Sequence, residues 1–428
     1  MRLAVALSLA LALTGSLGAQ PAEVVESIVV HGNHTTPTDD VLALIGAVTG
    51  QPATDTLLAD VRARLEKSGR FAEVQVRKRY LSIDDPTRVL LVVVVNELPG
   101  ISDDDLTPGP MKRFTASGMW LPVLEYQEGY GFTYGTRVSF VDRLGPRSRI
   151  SVPLTWGGER QAQVELERGF ERGPVKRVVG GGGLFRRENP HYEIGDFRRQ
   201  FWGRAETAPL TWLRAGGGGR FARVGFADRD EDLSTIGADI TVDTRRDPAM
   251  PRNAVFATAG IEQLGFHESA LGLPLETNDW TTARRVTLDG RGYVGLIGQT
   301  VFALRAQSIT SSAPLPPFEQ ALLGGIPSLR GWDVGTEAND NLAAASAELL
   351  VPLTSPLQQF ARLGVKLFAD TGTTWAAGTS LDTHTFKWGY GGGVFLHATV
   401  FTFGLDLGWR EGRGTPNAHV QLGLHLTR

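Results

Sequence analysis

From residue 119 onward, apolar and polar residues alternate along the chain in repeated segments of about ten residues. A late example is the segment 401–410, FTFGLDLGWR, where aromatic and aliphatic residues alternate with threonine, glycine, aspartate and arginine. Successive side chains of a β-strand point to opposite faces, so each segment has one apolar face and one polar face. A soluble core would not accept charges and glycines on a whole face. The pattern is typical of a closed β-barrel with an apolar exterior and a wet interior.

Residues 119–428 contain about 16 such segments, an even number that suits a single-chain transmembrane barrel. The alternative is a soluble β-sandwich, but a sandwich has no need of Trp156, Phe401 and Trp409 on outward faces. The predicted fold class is therefore mainly β. It is a transmembrane antiparallel β-barrel of about 16 strands, preceded by one small α+β domain.

The first 19 residues follow the order of a secretory signal peptide, with Met1 and Arg2, an apolar run over 3–13, and small residues up to Ala19. A transmembrane anchor is the alternative, but the run is shorter than the ~20 apolar residues that a spanning helix needs. The chain has no cysteine and therefore no disulfide framework. Its formal net charge of -3 gives no basic surface for nucleic acid. We expect export to a bacterial envelope.

Residues 20–98 predict a small domain with the order strand, helix, helix, strand, strand. The strands are expected over 24–30, 71–76 and 89–95, and the two helices begin near Thr38 and Asp55. A structural α+β module without a binding role is the alternative interpretation of this segment. Residues 99–118 combine three adjacent aspartates with several turn-forming residues, which predicts a linker.

A long segment, roughly 310 to 339, separates two predicted strands and holds the motif Leu329-Arg330-Gly331-Trp332. Loops of this length without structure of their own are usually functional or disordered. Glycine allows close backbone approach and tryptophan anchors by burial, so the setting of the arginine favours a functional loop. The period of two places Glu348 and Asp370 of later strands on the inner face, where their carboxylates are candidate partners for Arg330.

Three motifs and the N-terminal module together resemble a known family. The module, with Val30-x-Gly32-Asn33 and Ser68-Gly69-x-Phe71, resembles a POTRA domain, the polypeptide-transport module found before outer-membrane barrels. The barrel resembles that of the BamA/TamA superfamily of outer-membrane assembly and translocation proteins, of the bacterial surface antigen type. The motifs are the loop motif above, a strand-turn motif with Asp243, Arg245, Asp247 and Pro248, and a strand motif from Phe368 through Asp370 to Gly372.

The resemblance implies that the loop arginine reaches into the lumen and contacts acidic residues of the inner wall. It also implies insertion or translocation of unfolded or extended polypeptides at the bacterial outer membrane, with the POTRA-like domain in the periplasm. The partners are then polypeptide substrates, the lipid bilayer and candidate periplasmic accessory proteins. A POTRA-like sheet edge would hold substrate by strand addition. We expect no catalytic, cofactor or metal site.

Two other functions are left open by the sequence. A passive pore or structural barrel would explain a polar lumen but not the POTRA-like domain. A hydrolase is the second alternative, but no Gly-x-Ser-x-Gly motif supports it. One further expectation concerns the contact between the first strand, near 120–126, and the last, near 419–426. Pro122 cannot donate a ladder bond and the first strand is short, so this seam is expected to be weakly closed.

Overall fold

A computed structural model describes residues 23–82, 85, 87–102, 104–267, 280–353, 361–398 and 401–424. The expected signal peptide, residues 1–19, lies outside the described residues. The chain divides into two compact units, Met1–Gly118 and Met119–Arg428. Among the described residues, none of the helices has the length and apolar character needed to cross a membrane.

The N-terminal unit contains a three-stranded sheet and two helices in the expected order. The elements are β1 (Val24–His31), α1 (Thr38–Ile45), α2 (Asp55–Lys67), β2 (Phe71–Tyr80) and β3 (Arg88–Glu97). The strand order in the sheet is β1-β3-β2, with β1 parallel and β2 antiparallel to β3. The two edges of the sheet are therefore β1 and β2.

The core of this unit contains residues from both strands and helices, at the spacing expected for each type of element. Alternate residues of β3 from Val89 to Val95 are buried, and so are Val61 and Leu65 at helical spacing in α2. Thr54 caps α2 by accepting a hydrogen bond from the Leu57 amide at 3.2 Å. The small α+β domain predicted from the sequence is confirmed.

The segment 99–118, expected to be a linker, contains a short helix, α3 (Pro110–Ala116). Proline at the first helical position lacks the amide hydrogen that would be unpaired there, which favours a helix start at Pro110. The guanidinium of Arg113 donates a 2.5 Å hydrogen bond to the Pro108 carbonyl. The sequence did not predict this helix, because the turn-forming residues that precede it indicated a linker.

The C-terminal unit is a closed antiparallel barrel of 16 strands, as predicted. Its strands are β4 (Gly118–Gln127), β5 (Gly131–Val141), β6 (Ser148–Gly157), β7 (Arg160–Gly169), β8 (Arg177–Asn189), β9 (Ile194–Leu210), β10 (Leu213–Phe226), β11 (Arg229–Asp243), β12 (Ala254–His267), β13 (Trp280–Gly295), β14 (Val301–Ser311), and, after two short strands described below, β17 (Asn341–Pro352), β18 (Ala361–Trp375), β19 (Lys387–Ala398), β20 (Phe401–Arg410) and β21 (Asn417–Leu424).

Alternation along each strand separates the exterior from the lumen. Outward side chains such as Phe201 and Ile236 are 72% and 68% exposed, which is what a lipid-facing surface requires. Inward positions carry charges that pair with each other, for example Arg204 with Asp239 and Arg177 with Glu167. The polar face predicted from the sequence is therefore the inner wall of the barrel.

The loop between β14 and β17 has more structure than the sequence suggested. It contains a 3₁₀ turn, Pro317–Glu319, and a hairpin of β15 (Ala321–Leu323) and β16 (Glu337–Asn339). The sequence predicted an ordered functional loop but none of these elements, because three-residue strands are too short for alternation to show. The hairpin brings the two arms of the loop together and leaves residues 324–336 as its tip.

Candidate functional site in the barrel lumen

The tip of the loop folds into a compact turn around the Leu329–Trp332 motif. The Gly325 amide donates to the Trp332 carbonyl at 2.7 Å, and the Leu329 amide donates to the Gly325 carbonyl at 2.9 Å. The side chain of Leu329 is fully buried against Leu323 and Leu342. Gly331 has φ +93°, a left-handed conformation that a residue with Cβ rarely adopts. This turn directs the Arg330 side chain away from Leu329 and toward the inner wall.

Arg330 makes a two-pronged contact with Asp370 of β18. Its Nε and Nη2 atoms donate to the two carboxylate oxygens, each at 2.7 Å, and its own backbone amide donates to Oδ2 at 3.0 Å. Both residues are nearly inaccessible, at 3% and 2% exposure. A planar guanidinium matches the geometry of a carboxylate, so this contact fixes the direction as well as the charge of Arg330.

Further polar groups surround the same guanidinium. Nη1 forms ion pairs with Glu348 of β17 and, at 3.3 Å, with Asp406 of β20. Nη2 also donates to the Ser346 hydroxyl at 3.0 Å. Lys366 forms a second ion pair with Asp406 at 2.8 Å. The three carboxylates thus face two cations, and removing either cation would leave buried negative charge without compensation.

Close packing holds the loop tip against the wall. The guanidinium lies 3.7 Å from the centroid of the Phe368 ring, a cation–π contact in a buried setting. Gly389 of β19 lies directly beneath the loop, where a Cβ atom would clash with the Arg330 carbonyl oxygen. The Trp332 indole nitrogen donates to the Trp388 carbonyl at 3.0 Å. Leu323 of the loop packs over Gly372, the last residue of the strand motif.

A second buried cluster holds the other arm of the loop. Glu319 pairs with Arg198 of β9 at 2.7 Å and with Arg285 of β13 at 3.0 Å. Asp196 completes the cluster with a bidentate contact to Arg198. Glu319 therefore holds the loop to one side of the barrel, and Arg330 holds it to the other.

The strand-turn motif lies at the opposite end of the barrel from this loop. Arg245 pairs bidentately with Asp243, at 2.9 and 3.0 Å, and lies over the Phe256 ring. Asp247 pairs with Arg362 at 2.6 Å. Pro248 lines a lumen cavity of about 450 Å³ whose other side includes the loop tip. This motif closes a turn and does not join the Arg330 cluster.

The structure thus brings together four residues singled out from the sequence, Arg330, Glu348, Asp370 and Phe368. The sequence analysis missed Ser346 and Asp406, which lie on inward positions of strands whose alternation was visible. It also missed Glu319, whose burial between prolines and aromatics in PLPPFEQ was the available signal. His419 and Asn417 of the last strand, and Glu128 after the first, were missed because only the folded chain brings them together.

Comparison with protein-family models follows the same division of the chain. Residues 132–426 match the Omp85 superfamily domain. The chain belongs to the Omp85 superfamily. Residues 23–98 match the POTRA model, described as a surface antigen variable number repeat. The expected resemblance to the BamA/TamA superfamily is confirmed, and an Omp85 barrel with a POTRA domain indicates the bacterial outer membrane.

A solved structure, BamA from Haemophilus ducreyi, shares the fold of this Omp85 chain at low sequence identity. BamA from Haemophilus ducreyi lacking POTRA domains 1-3 has a TM-score of 0.60 and 13% identity, with 94% of this chain and 84% of that chain covered. CdiB from Escherichia coli has a TM-score of 0.48 and 12% identity, with 96% and 92% covered. A search of the curated proteins gives no match.

Proposed function

We propose that this Omp85 protein inserts polypeptides into the outer membrane or translocates them across it. In this proposal the POTRA domain receives extended substrate in the periplasm, and the barrel opens between its first and last strands. The reaction needs no covalent chemistry, cofactor or metal. The observation that carries the proposal is the position of Pro122 within β4, the strand that pairs with β21 to close the barrel.

Among the described residues, the register of this seam consists of two residue pairs, Leu422 with Tyr126 and Gly423 with Glu125. The neighbouring pair β20–β21 is in register from Phe401↔Leu424 to Gly408↔Asn417, and β10–β11 from Leu213↔Val242 to Phe226↔Arg229. Pro122 of β4 has no amide hydrogen to give to a neighbouring strand, so we infer a lower free energy of separating β4 from β21 than a fully bonded strand would have. An opened seam would expose two strand edges that a substrate strand can pair with.

A passive pore is less well supported because the lumen is obstructed. The loop tip and the turn that carries Pro248 lie on either side of the 450 Å³ cavity, and the Arg330 and Glu319 clusters hold the loop inside the barrel. Among the described residues, lumen charges pair with each other, as Arg204 does with Asp239 and Arg305 with Asp289, and paired charges are poorly suited to select a solute. The support for polypeptide handling is the combination of a POTRA domain with a seam strand that contains Pro122.

The test is a reversible crosslink across the seam. The chain has no cysteine, so a cysteine pair at Tyr126 and Leu422 introduces the only two thiols. Oxidation should abolish substrate assembly or secretion in cells, and reduction should restore it. The control is a cysteine pair at Ala215 and Ile240, two partners in the long β10–β11 ladder. This crosslink should leave function unchanged.

Full activity with the seam quantitatively crosslinked would remove lateral opening and favour passage through the lumen. Substrate that accumulates in the membrane after reduction indicates insertion. Substrate that appears outside the cell indicates secretion.

A further inference from the structure

His419 of β21 is fully buried at the seam and bonded through both ring nitrogens. The Gly331 amide donates to Nε2 at 2.7 Å, and Nδ1 lies 2.6 Å from Oε1 of Glu128. Because the Gly331 amide can only donate, Nε2 accepts this hydrogen bond, which leaves Nδ1 as the nitrogen that donates. His419 therefore donates to Glu128 while it accepts from the loop.

Asn417, two residues earlier on the same strand face, holds the other polar group of Gly331. Its Nδ2 atom donates to the Gly331 carbonyl at 3.1 Å and to the Asp333 carboxylate at 3.1 Å. The peptide groups on either side of Gly331 are thus bound by the last strand from both directions, next to the Arg330 cluster.

Glu128 extends the network to the first strand. It follows the end of β4, and its second oxygen accepts a hydrogen bond from the Ile326 amide of the loop at 3.2 Å. The loop tip therefore contacts the first strand's end through Glu128 and the last strand through His419 and Asn417. It therefore contacts both strands that meet at the seam.

We propose that His419 and Glu128 form a latch through which the docked loop tip keeps the seam closed. Separating β21 from the end of β4 must break the His419–Glu128 bond or release the tip from one of them. Either event leaves buried polar groups without partners, which is unfavourable. Docking of the loop and closure of the seam are then linked, and linkage is reciprocal: undocking opens the seam, and closing the seam docks the loop.

The inference rests on the proposed function only in that seam opening serves a substrate. The latch itself is measured on purified full-length protein in lipid, without substrate. Loop docking is followed by trypsin cleavage after Arg330, a bond that is protected while Arg330 is buried. Seam closure is followed by the distance distribution between spin labels at Tyr126 and Leu422.

His419→Ala should increase the rate of cleavage after Arg330 by about tenfold and broaden the spin-label distances. His419→Gln should restore both values toward wild type, because its amide oxygen can accept from Gly331 and its nitrogen can donate to Glu128. His384→Ala is the matched control, since His384 is half-buried before β19, its Nδ1 lies 3.0 Å from the Ser380 carbonyl oxygen, and its loss should change neither readout.

The decisive variant combines His419→Ala with the Tyr126–Leu422 cysteine pair. If the latch links the two events, oxidising the pair should return cleavage after Arg330 toward the wild-type rate. Unchanged cleavage on oxidation, or a loosened loop in His419→Ala with unchanged seam distances, would overturn the latch. Either of these two results would contradict the latch alone. The proposed function is contradicted only if the crosslinked seam retains full activity in cells.

Discussion

At the scale of single residues, Arg330 carries the largest concentration of buried charge interactions in the loop. Three carboxylates, a hydroxyl and an aromatic ring surround one guanidinium. Desolvation makes such a cluster costly to build, so each partner depends on the others remaining in place. A lysine ammonium in place of the planar guanidinium would satisfy only part of this geometry, because it cannot form the bidentate contact.

Arg330→Ala should release the loop tip, because it leaves Asp370 and Glu348 without their main partner at a cost of about 3 kcal/mol or more. Arg330→Lys should give an intermediate result, since lysine keeps the charge and loses the bidentate contact. Thermal unfolding and chymotrypsin cleavage at Leu329 or Trp332 measure the effect. Arg172→Ala, on an exposed turn, is the control. Normal substrate assembly with an equally protected loop in Arg330→Ala would contradict the role of this residue.

Glu97 sets a pH dependence in the POTRA domain. Burial raises its pKa, but hydrogen bonds from Thr36 and Thr35 outweigh burial and hold the pKa below its ordinary value. A lowered folded-state pKa stabilises the domain above the unfolded-state pKa, and this stabilisation is lost as the pH falls through the folded-state pKa.

Glu97→Gln should therefore destabilise the POTRA domain most at neutral pH, and its difference from wild type should shrink in acid. Denaturant unfolding of the full-length protein, with a fluorescent probe within residues 23–98, measures this difference at each pH. A difference that stays constant from neutral pH to below the folded-state pKa would show that the charge of Glu97 is unimportant.

At the scale of elements, the β2 edge of the POTRA sheet has no neighbouring strand within the part of the chain that the structure describes. β2 pairs only with β3 among the described residues, whereas segment 50–53 bonds to residues 23–25 at the start of the β1 edge. Exposed backbone amides and carbonyls along β2 are suited to the addition of a substrate strand. The edge binds main chain, so we expect broad tolerance of substrate sequence.

A photo-crosslinker at Arg77 of β2 in the full-length protein should capture extended peptides of unrelated sequence. Backbone N-methylation of the same peptides should abolish capture, because strand addition depends on main-chain hydrogen bonds. A crosslinker at Arg62, on the exposed face of α2, should capture little. Capture of a single peptide sequence, or capture that survives N-methylation, would indicate a side-chain pocket.

At the scale of the whole barrel, the lumen is narrowed from both ends. The docked loop lies on one side of the 450 Å³ cavity. On the other side, the turn after β11 folds inward so that Met250 packs against Val301 and Phe395 on separate strands. A barrel with obstructions at both ends should conduct ions poorly while its exterior and seam remain intact.

Planar-bilayer conductance should therefore be low for the wild type, higher for Arg330→Ala and for Met250→Asp, and highest for the double variant. Aspartate in the apolar cluster around Met250 would be desolvated without a partner, which expels the turn from the lumen. Met119→Asp, a change at an exposed position near the start of β4, is the control. A large steady conductance in the wild type, equal to that of the double variant, would contradict this account.

The sequence by itself determined the parts of the structure that depend on local periodicity. Alternation gave the barrel, its strand number and the inward direction of Glu348 and Asp370, because side-chain direction in a strand follows a period of two whatever the distant chain does. The βααββ order of the POTRA domain followed from helical and strand spacing in the same way.

Only the tertiary structure decided how the loop is held. Glu319 meets Arg198 across 121 positions of sequence, and His419 meets Glu128 across 291. No local pattern encodes these contacts, because they depend on the path of the loop through the lumen and on which strands become neighbours when the barrel closes. Periodicity fixes the face on which a side chain lies, whereas closure of the barrel fixes what it meets there.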